Sequence, residues 1–194
     1  INDKPIVSMY NMFYNSKAES IDTSSFDTSN VTDMGFMFYQ SAATSLDLSS
    51  FDTSNVTNME NMFCATGFSK MTNLDLGSKF NTSKVTSMAS MFSSSKATTL
   101  DLSSFDTSNV TNMNGMFSTS VATEINGLEN FNTSKVTSME GMFASSKATS
   151  LDLSNFDTSK VTDMSGMFNN SQATSLDLSK FDTSNVTNMA AMFS

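Results

Sequence analysis

Residues 51–63 read Phe51-Asp52-Thr53-Ser54-Asn55-Val56-Thr57-Asn58-Met59-Glu60-Asn61-Met62-Phe63, and this stretch or a close variant recurs along the chain. Its opening phenylalanine stands at Phe26, Phe51, Phe80, Phe105, Phe131, Phe156 and Phe181, at intervals of 25, 29, 25, 26, 25 and 25 residues. Its closing phenylalanine stands at Phe13, Phe38, Phe63, Phe92, Phe117, Phe143, Phe168 and Phe193, with the same intervals after a first one of 25. A fixed period of this size marks a stack of coils, none of which buries its apolar face alone. We expect one repeat domain over residues 1–194: a half repeat at 1–13, then seven repeats at 14–194. Extra residues fall in Ala65–Met71, at Gly77 and at Asn126-Gly127. They leave the flanking pattern intact, as loops or bulges on a stack do.

The repeat also accounts for the composition. Sixteen of the 17 methionines and fifteen of the 17 phenylalanines occupy motif positions, leaving only Met71, Phe36 and Phe68 outside.

Within each motif Val, Met, Met and Phe stand at offsets 0, 3, 6 and 7, as in Val31, Met34, Met37 and Phe38. On a helix those offsets share one face. The preceding D-T-S-N is the residue set favoured at helix N-caps. The spacing therefore predicts about eight helical residues per repeat. Gly115, Gly141 and Gly166, with a β-branched Thr after each Val, make that helix weak and partly 3₁₀. Each unit also carries an L-D-L triplet with alternating apolar residues, which predicts a short strand with its leucines inward and its aspartate outward. The triplets are Leu46–Leu48, Leu74–Leu76, Leu100–Leu102, Leu151–Leu153 and Leu176–Leu178. The pattern is weaker at Ile21-Asp22-Thr23 and interrupted at Ile125–Leu128. Strands would stack parallel at about 4.8 Å and helices at about 8–10 Å, so the stack should curve with its strands on the concave side. The expected fold is an α/β solenoid, right-handed and leucine-rich-repeat-like; an all-β solenoid is the competing architecture.

The chain carries a net charge of −9 with ten lysines and no arginine. A nucleic-acid binder needs a basic stripe, so no nucleic-acid partner is expected. No apolar run approaches the roughly 18 residues of a membrane span. The chain opens on Ile1 and stops just after a motif, and we expect an excised piece of a longer protein. With no histidine, Ser-His-Asp and Cys-His pairs and the commonest general base are gone. No enzyme and no cofactor are expected. Cys64 is the sole cysteine and reads as a small apolar residue.

The consensus L-D-L-S-x-F-D-T-S-N-V-T-x-M-x-x-M-F resembles the repeat of BspA-like leucine-rich-repeat bacterial surface proteins, from about Ile6 to Phe193. The resemblance implies a secreted or wall-attached, extracellular adhesin. Its implied partners are host mucus, glycans, mucin or extracellular matrix, or other bacterial cells. It supplies no ligand and no catalytic motif. A passive spacer lifting another domain from the cell wall is the alternative reading.

Several columns carry the functional options. The M-x-x-M pairs match the spacing of thioether copper sites, yet they lie on one stripe with Val and Phe and read as core. The outward acids Asp47, Asp75, Asp101, Asp152 and Asp177, with Asn126 breaking the series, form a candidate ligand-binding column. Ser45, Ser49, Thr99, Ser103, Ser150, Ser154, Ser175 and Ser179 flank it. A solvated face and calcium bridging are its competing readings. The second acids, Asp27, Asp52, Asp106, Asp157 and Asp182, alternate with Asn81 and Asn132, which points to a turn acceptor both residues can supply. Threonine columns from Thr28 to Thr183 and from Thr32 to Thr187 leave ice binding as a minor alternative. Like charges stacked at strand spacing should raise the aspartate pKa values, so that adhesion to acidic polysaccharide strengthens in mild acid.

Overall fold

A computed structural model describes residues 4–67, 71 and 73–194. Ile1–Asp3 of the expected entry segment, and residues 68–70 of the expected insertion, lie outside them.

The core is a single file of motif side chains. Val56, Met59, Met62 and Phe63, and their equivalents Val110, Met113, Met116 and Phe117, are fully buried in one continuous cluster. The paired phenylalanines form an unbroken column of stacked rings from Phe13 through Phe38, Phe63, Phe92, Phe117, Phe143 and Phe168 to Phe193. Successive centroids lie 5.3–5.9 Å apart and planes within 11°. The methionines fill the space beside this column and are packing, as their stripe implied.

The coils are joined where the sequence suggested a helix. The residue before the first Met forms seven consecutive parallel bridges, Ser8–Asp33–Asn58–Ser87–Asn112–Ser138–Asp163–Asn188. Around it, each Thr N–H donates to the carbonyl of its counterpart one coil back, as in Thr111 to Thr86 and Thr137 to Thr111, and the N–H of the motif's first Met, from Met9 to Met164, donates to the next coil. No α-helix forms among the described residues; the one helical turn is a 3₁₀ segment at Leu128–Asn130.

The reason lies in the hydrogen bonds of M-x-x-M-F. In the second coil Met37, Tyr39 and Ser41 donate back three residues, while Met34, Phe36, Phe38 and Gln40 donate to the carbonyls of Asn58, Glu60, Met62 and Cys64 in the next coil. The two sets alternate, so the segment is a run of tight turns that also acts as a strand edge. Two residues per run have positive φ, here Phe36 at 56° and Gln40 at 51°. Left-handed backbone costs an ordinary residue about 1–2 kcal/mol, and in every run before the last the N–H of each such residue is bonded across the coils. Gly115, Gly141 and Gly166 occupy the first of these two positions, with φ near 59°. They serve a turn; they do not weaken a helix. The D-T-S-N segment correspondingly caps no helix.

Among the described residues four strands form: β1 (Ser45–Asp47), β2 (Asn73–Asp75), β3 (Thr99–Asp101) and β4 (Glu124–Asn126). They pair parallel as β1–β2 and β3–β4, with Leu46 opposite Leu74 and Leu100 opposite Ile125. Each starts one residue earlier than L-D-L. Leu151–Leu153 and Leu176–Leu178 are not strands, although Leu151 and Leu153 still point inward. Ile21–Thr23 is joined only through the Ser20–Ser45 bridge and the Thr23 hydroxyl, which donates to the Asp47 carbonyl at 2.7 Å. The continuous ladder therefore runs along the V-T-x-M side, and the L-D-L side is paired in patches. Both sides are held by parallel backbone bonds, so the wider packing of helices, which was to bend the stack around a concave strand face, is absent.

A third junction runs along the first threonine column. Thr28, Thr53, Thr82, Thr107, Thr133 and Thr158 are buried. Each hydroxyl donates to the carbonyl of the next coil's Asp or Asn at 2.8–3.0 Å and accepts the same residue's N–H at 2.6–2.9 Å. The side chain replaces a pair of ladder bonds, and this buried column offers no surface to ice, whereas the second column, Thr32 to Thr187, is exposed.

The insertions are built around close approach. At Gly127, with φ at 93°, an added Cβ would lie 2.5 Å from the Leu102 carbonyl carbon. At Gly77 it would lie 2.3 Å from Ser49 Cα. Only glycine fits either bulge.

Candidate ligand-binding strand face

The strand face follows from the alternation in L-D-L. Asp47, Asp75, Asp101, Asn126, Asp152 and Asp177 are all exposed, as are Ser45, Thr99, Ser150 and Ser175 beside them. Asn73 and Glu124 complete the flanking column, and nothing in the L-D-L triplets marked them. Register places Asp47 opposite Asp75 and Asp101 opposite Asn126.

Three surface depressions open on this face. One of about 260 Å³ lies between Asp22 and Asp47, lined by Ser20, Ser24, Ser45 and Ser49. The other two, about 280 and 460 Å³, lie where β2 and β3 fail to pair. The larger is flanked by Asp75 and Asp101, with Leu74 and Leu76 at its floor, both only partly buried. The chain parts here because the extra residues before β2 and at Gly77 break the 25-residue register between these coils.

The carboxylates are not free arms. Asp47, Asp75, Asp101, Asp152 and Asp177 each accept, through Oδ1, the N–H of the residue two further on, at 2.9–3.1 Å. The second acids do the same: Asp27, Asp52, Asp106, Asp157 and Asp182 accept from the serine two further on, and Asn81 and Asn132 stand in for them. This is the turn acceptor that Asp/Asn exchange implied.

These bonds overturn the expected acid behaviour. Serine hydroxyl and backbone donors two residues on hold Asp22, Asp47, Asp101, Asp152 and Asp177 below the usual carboxylate value. Like-charge stacking does not raise them, because the carboxylates face water and each is solvated by its own turn. Asp27, Asp52, Asp106, Asp157, Asp163 and Asp182 shift downward in the same way.

A lowered folded-state pKa contributes stability that is present above the unfolded value, about 3.9, and is lost as pH falls through the folded one. The melting temperature should therefore hold level from neutral pH to about 5 and drop steadily below about 4. A melting temperature that climbs between pH 5 and pH 3 would contradict this.

Burial pushes the Cys64 thiol up, which disfavours the reactive thiolate. Among the described residues no cluster of three or more acidic or Cys side chains is placed to hold a metal ion. No helix among them is long and apolar enough to cross a membrane.

A family model described as "Mycoplasma protein of unknown function, DUF285" matches residues 2–97, 67–126 and 120–194. The chain belongs to this family. Three overlapping matches along one DUF285 chain agree with a repeat and leave no coil uncovered. Comparison with curated proteins and with solved structures finds no match.

Proposed function

We propose that this DUF285 chain is a cell-surface adhesion module that binds neutral, hydroxyl-rich glycans or glycoproteins along its strand face. The observation that carries the reading is the set of three depressions on one exposed face, each bordered by a carboxylate and by serine or threonine hydroxyls. With one carboxylate oxygen committed to its own turn, the other is left to accept a sugar hydroxyl. The ligand-facing residues are Asp47, Asp75, Asp101, Asn126, Asp152, Asp177, Ser45, Thr99, Ser150 and Ser175. The resemblance to BspA-like leucine-rich-repeat surface proteins supports an extracellular location at the bacterial surface. It also supports right-handed winding of the coils, and partners in host mucus, matrix or other cells.

The downward-shifted aspartates change one feature of this reading. The face stays anionic in mild acid, so binding to acidic polysaccharide gains nothing between pH 7 and pH 5. Sulfated and sialylated glycans are disfavoured at both.

A glycan and mucin array probed with the chain tests the proposal. Retention on neutral glycans, reduced at least about tenfold in Asp101→Ala/Asp152→Ala at a temperature where that variant remains folded, supports it. An array that stays blank favours the spacer, and binding indifferent to both substitutions moves the ligand off this face.

A further inference from the structure

Asparagine is followed by glycine twice in the chain, at Asn114-Gly115 and at Asn126-Gly127. In such a pair the glycine nitrogen can close on the asparagine side-chain carbon, because no Cβ on the glycine stands in the way. The fold treats the two pairs differently. At the first, both reacting groups are held: the Gly115 N–H donates to the Glu140 carbonyl at 2.8 Å, and Asn114 Oδ1 accepts the Glu140 N–H at 3.2 Å. At the second, neither is held. The Gly127 N–H has no partner among the described residues. The Asn126 side chain, exposed at the end of β4, makes no hydrogen bond among them either. Gly127 itself is buried, where an unpaired N–H is costly, and closing the ring consumes that donor.

We propose that Asn126 is a site of spontaneous deamidation. The Gly127 nitrogen attacks Asn126 Cγ, a new C–N bond closes a cyclic imide, the Cγ–Nδ2 bond breaks, and ammonia leaves with the Gly127 proton. Water then opens the imide. Cleavage between the nitrogen and Cγ leaves aspartate at position 126, and cleavage between the nitrogen and the backbone carbonyl carbon leaves isoaspartate. The aspartate product adds one negative charge opposite Asp101 of β3, and so completes the acid column that Asn126 interrupts. The Asn126 carbonyl accepts the Leu102 N–H at 2.9 Å, which restrains the rotation that ring closure needs. The folded chain should therefore react more slowly than the denatured one. This chemistry is independent of what the strand face binds.

Peptide mapping by mass spectrometry tests the proposal on the folded chain, aged in neutral and in mildly alkaline buffer made with heavy-oxygen water. The label enters only where water has opened an imide. Conversion should be at least about tenfold faster at Asn126 than at Asn114, the factor that one retained hydrogen bond supplies. It should also quicken in the alkaline buffer, because the attacking nitrogen must lose its proton. In denaturant, where neither pair is held, the two sites should convert at similar rates. Equal rates in the folded chain overturn the proposal, as does faster conversion at Asn114. So does an Asn126 that keeps its amide until the protein is unfolded, or a bias that persists unchanged in denaturant.

Discussion

Replacing Phe117 with alanine should lower stability by about 3–5 kcal/mol, the range for removing a fully buried phenyl ring from a core. Phe117 is wholly inaccessible and stacks between Phe92 and Phe143 at 5.9 and 5.4 Å. Its loss opens a gap in a column of stacked rings that runs the full length of the stack. Each coil touches only its neighbours, so stability is a sum of junctions, and a central gap weakens two of them. Chemical denaturation of Phe117→Ala should shift to a lower midpoint and separate into two steps as the halves uncouple. Phe193→Ala removes the same ring at the exposed end, where it has one stacked neighbour, and should cost less than about 1 kcal/mol. Equal losses in the two variants would show that the column does not couple the coils.

The second large effect is expected at Thr107. Its buried hydroxyl donates to the Asn132 carbonyl at 3.0 Å and accepts the Asn132 N–H at 2.8 Å. Thr107→Val keeps the shape and removes both bonds, leaving a backbone donor and acceptor without partners. Unmade bonds of this kind cost about 1–3 kcal/mol each, so roughly 2–6 kcal/mol should be lost. Thr107→Ser keeps the hydroxyl and should lose far less. Thr111→Val is the matched control in the second column. Thr111 is exposed, and its N–H already binds the Thr86 carbonyl that its hydroxyl also reaches at 3.2 Å. That change should stay within about 0.5 kcal/mol. A Thr107→Val protein as stable as Thr111→Val would remove the hydroxyl ladder from the account.

The period, the core columns and the outward aspartates were legible because they depend on which side chains recur, and a solenoid of any cross-section stacks like on like. The helix was not. Offsets of 0, 3, 6 and 7 put Val110, Met113, Met116 and Phe117 on one side of a helix, but they also put them on the inner side of a turn run. Spacing alone does not separate the two. The separating signal was glycine: Gly115, Gly141 and Gly166 at one motif position, with Asn11 and Asn61 at its equivalents, are residues that tolerate positive φ. Reading them as weak helix formers missed that.

The same substitution decides the D-T-S-N segment. Its Asp accepts from the N–H two residues on, which Asp and Asn do in turns as readily as at helix ends. At the candidate site the column was legible from L-D-L, but the direction of the pKa shifts was not. It depends on the donors at Ser49, Ser103, Ser154 and Ser179, and the sequence showed the neighbouring charges more plainly than those bonds. The gap between β2 and β3 was visible only as extra residues. That they unpair the strands and open the depression of about 460 Å³ is a matter of register, which periodicity does not report.

The central claim is that the coils are joined through V-T-x-M and M-x-x-M-F by bonds between repeats, with no helix within them. Amide NOEs in isotopically labelled protein test it most directly. The account predicts long-range contacts from the Thr111 N–H to residue 86 and from the Phe117 N–H to residue 142, both across a full repeat. A run of contacts three and four residues apart through Val110–Phe117, without those long-range ones, would contradict it.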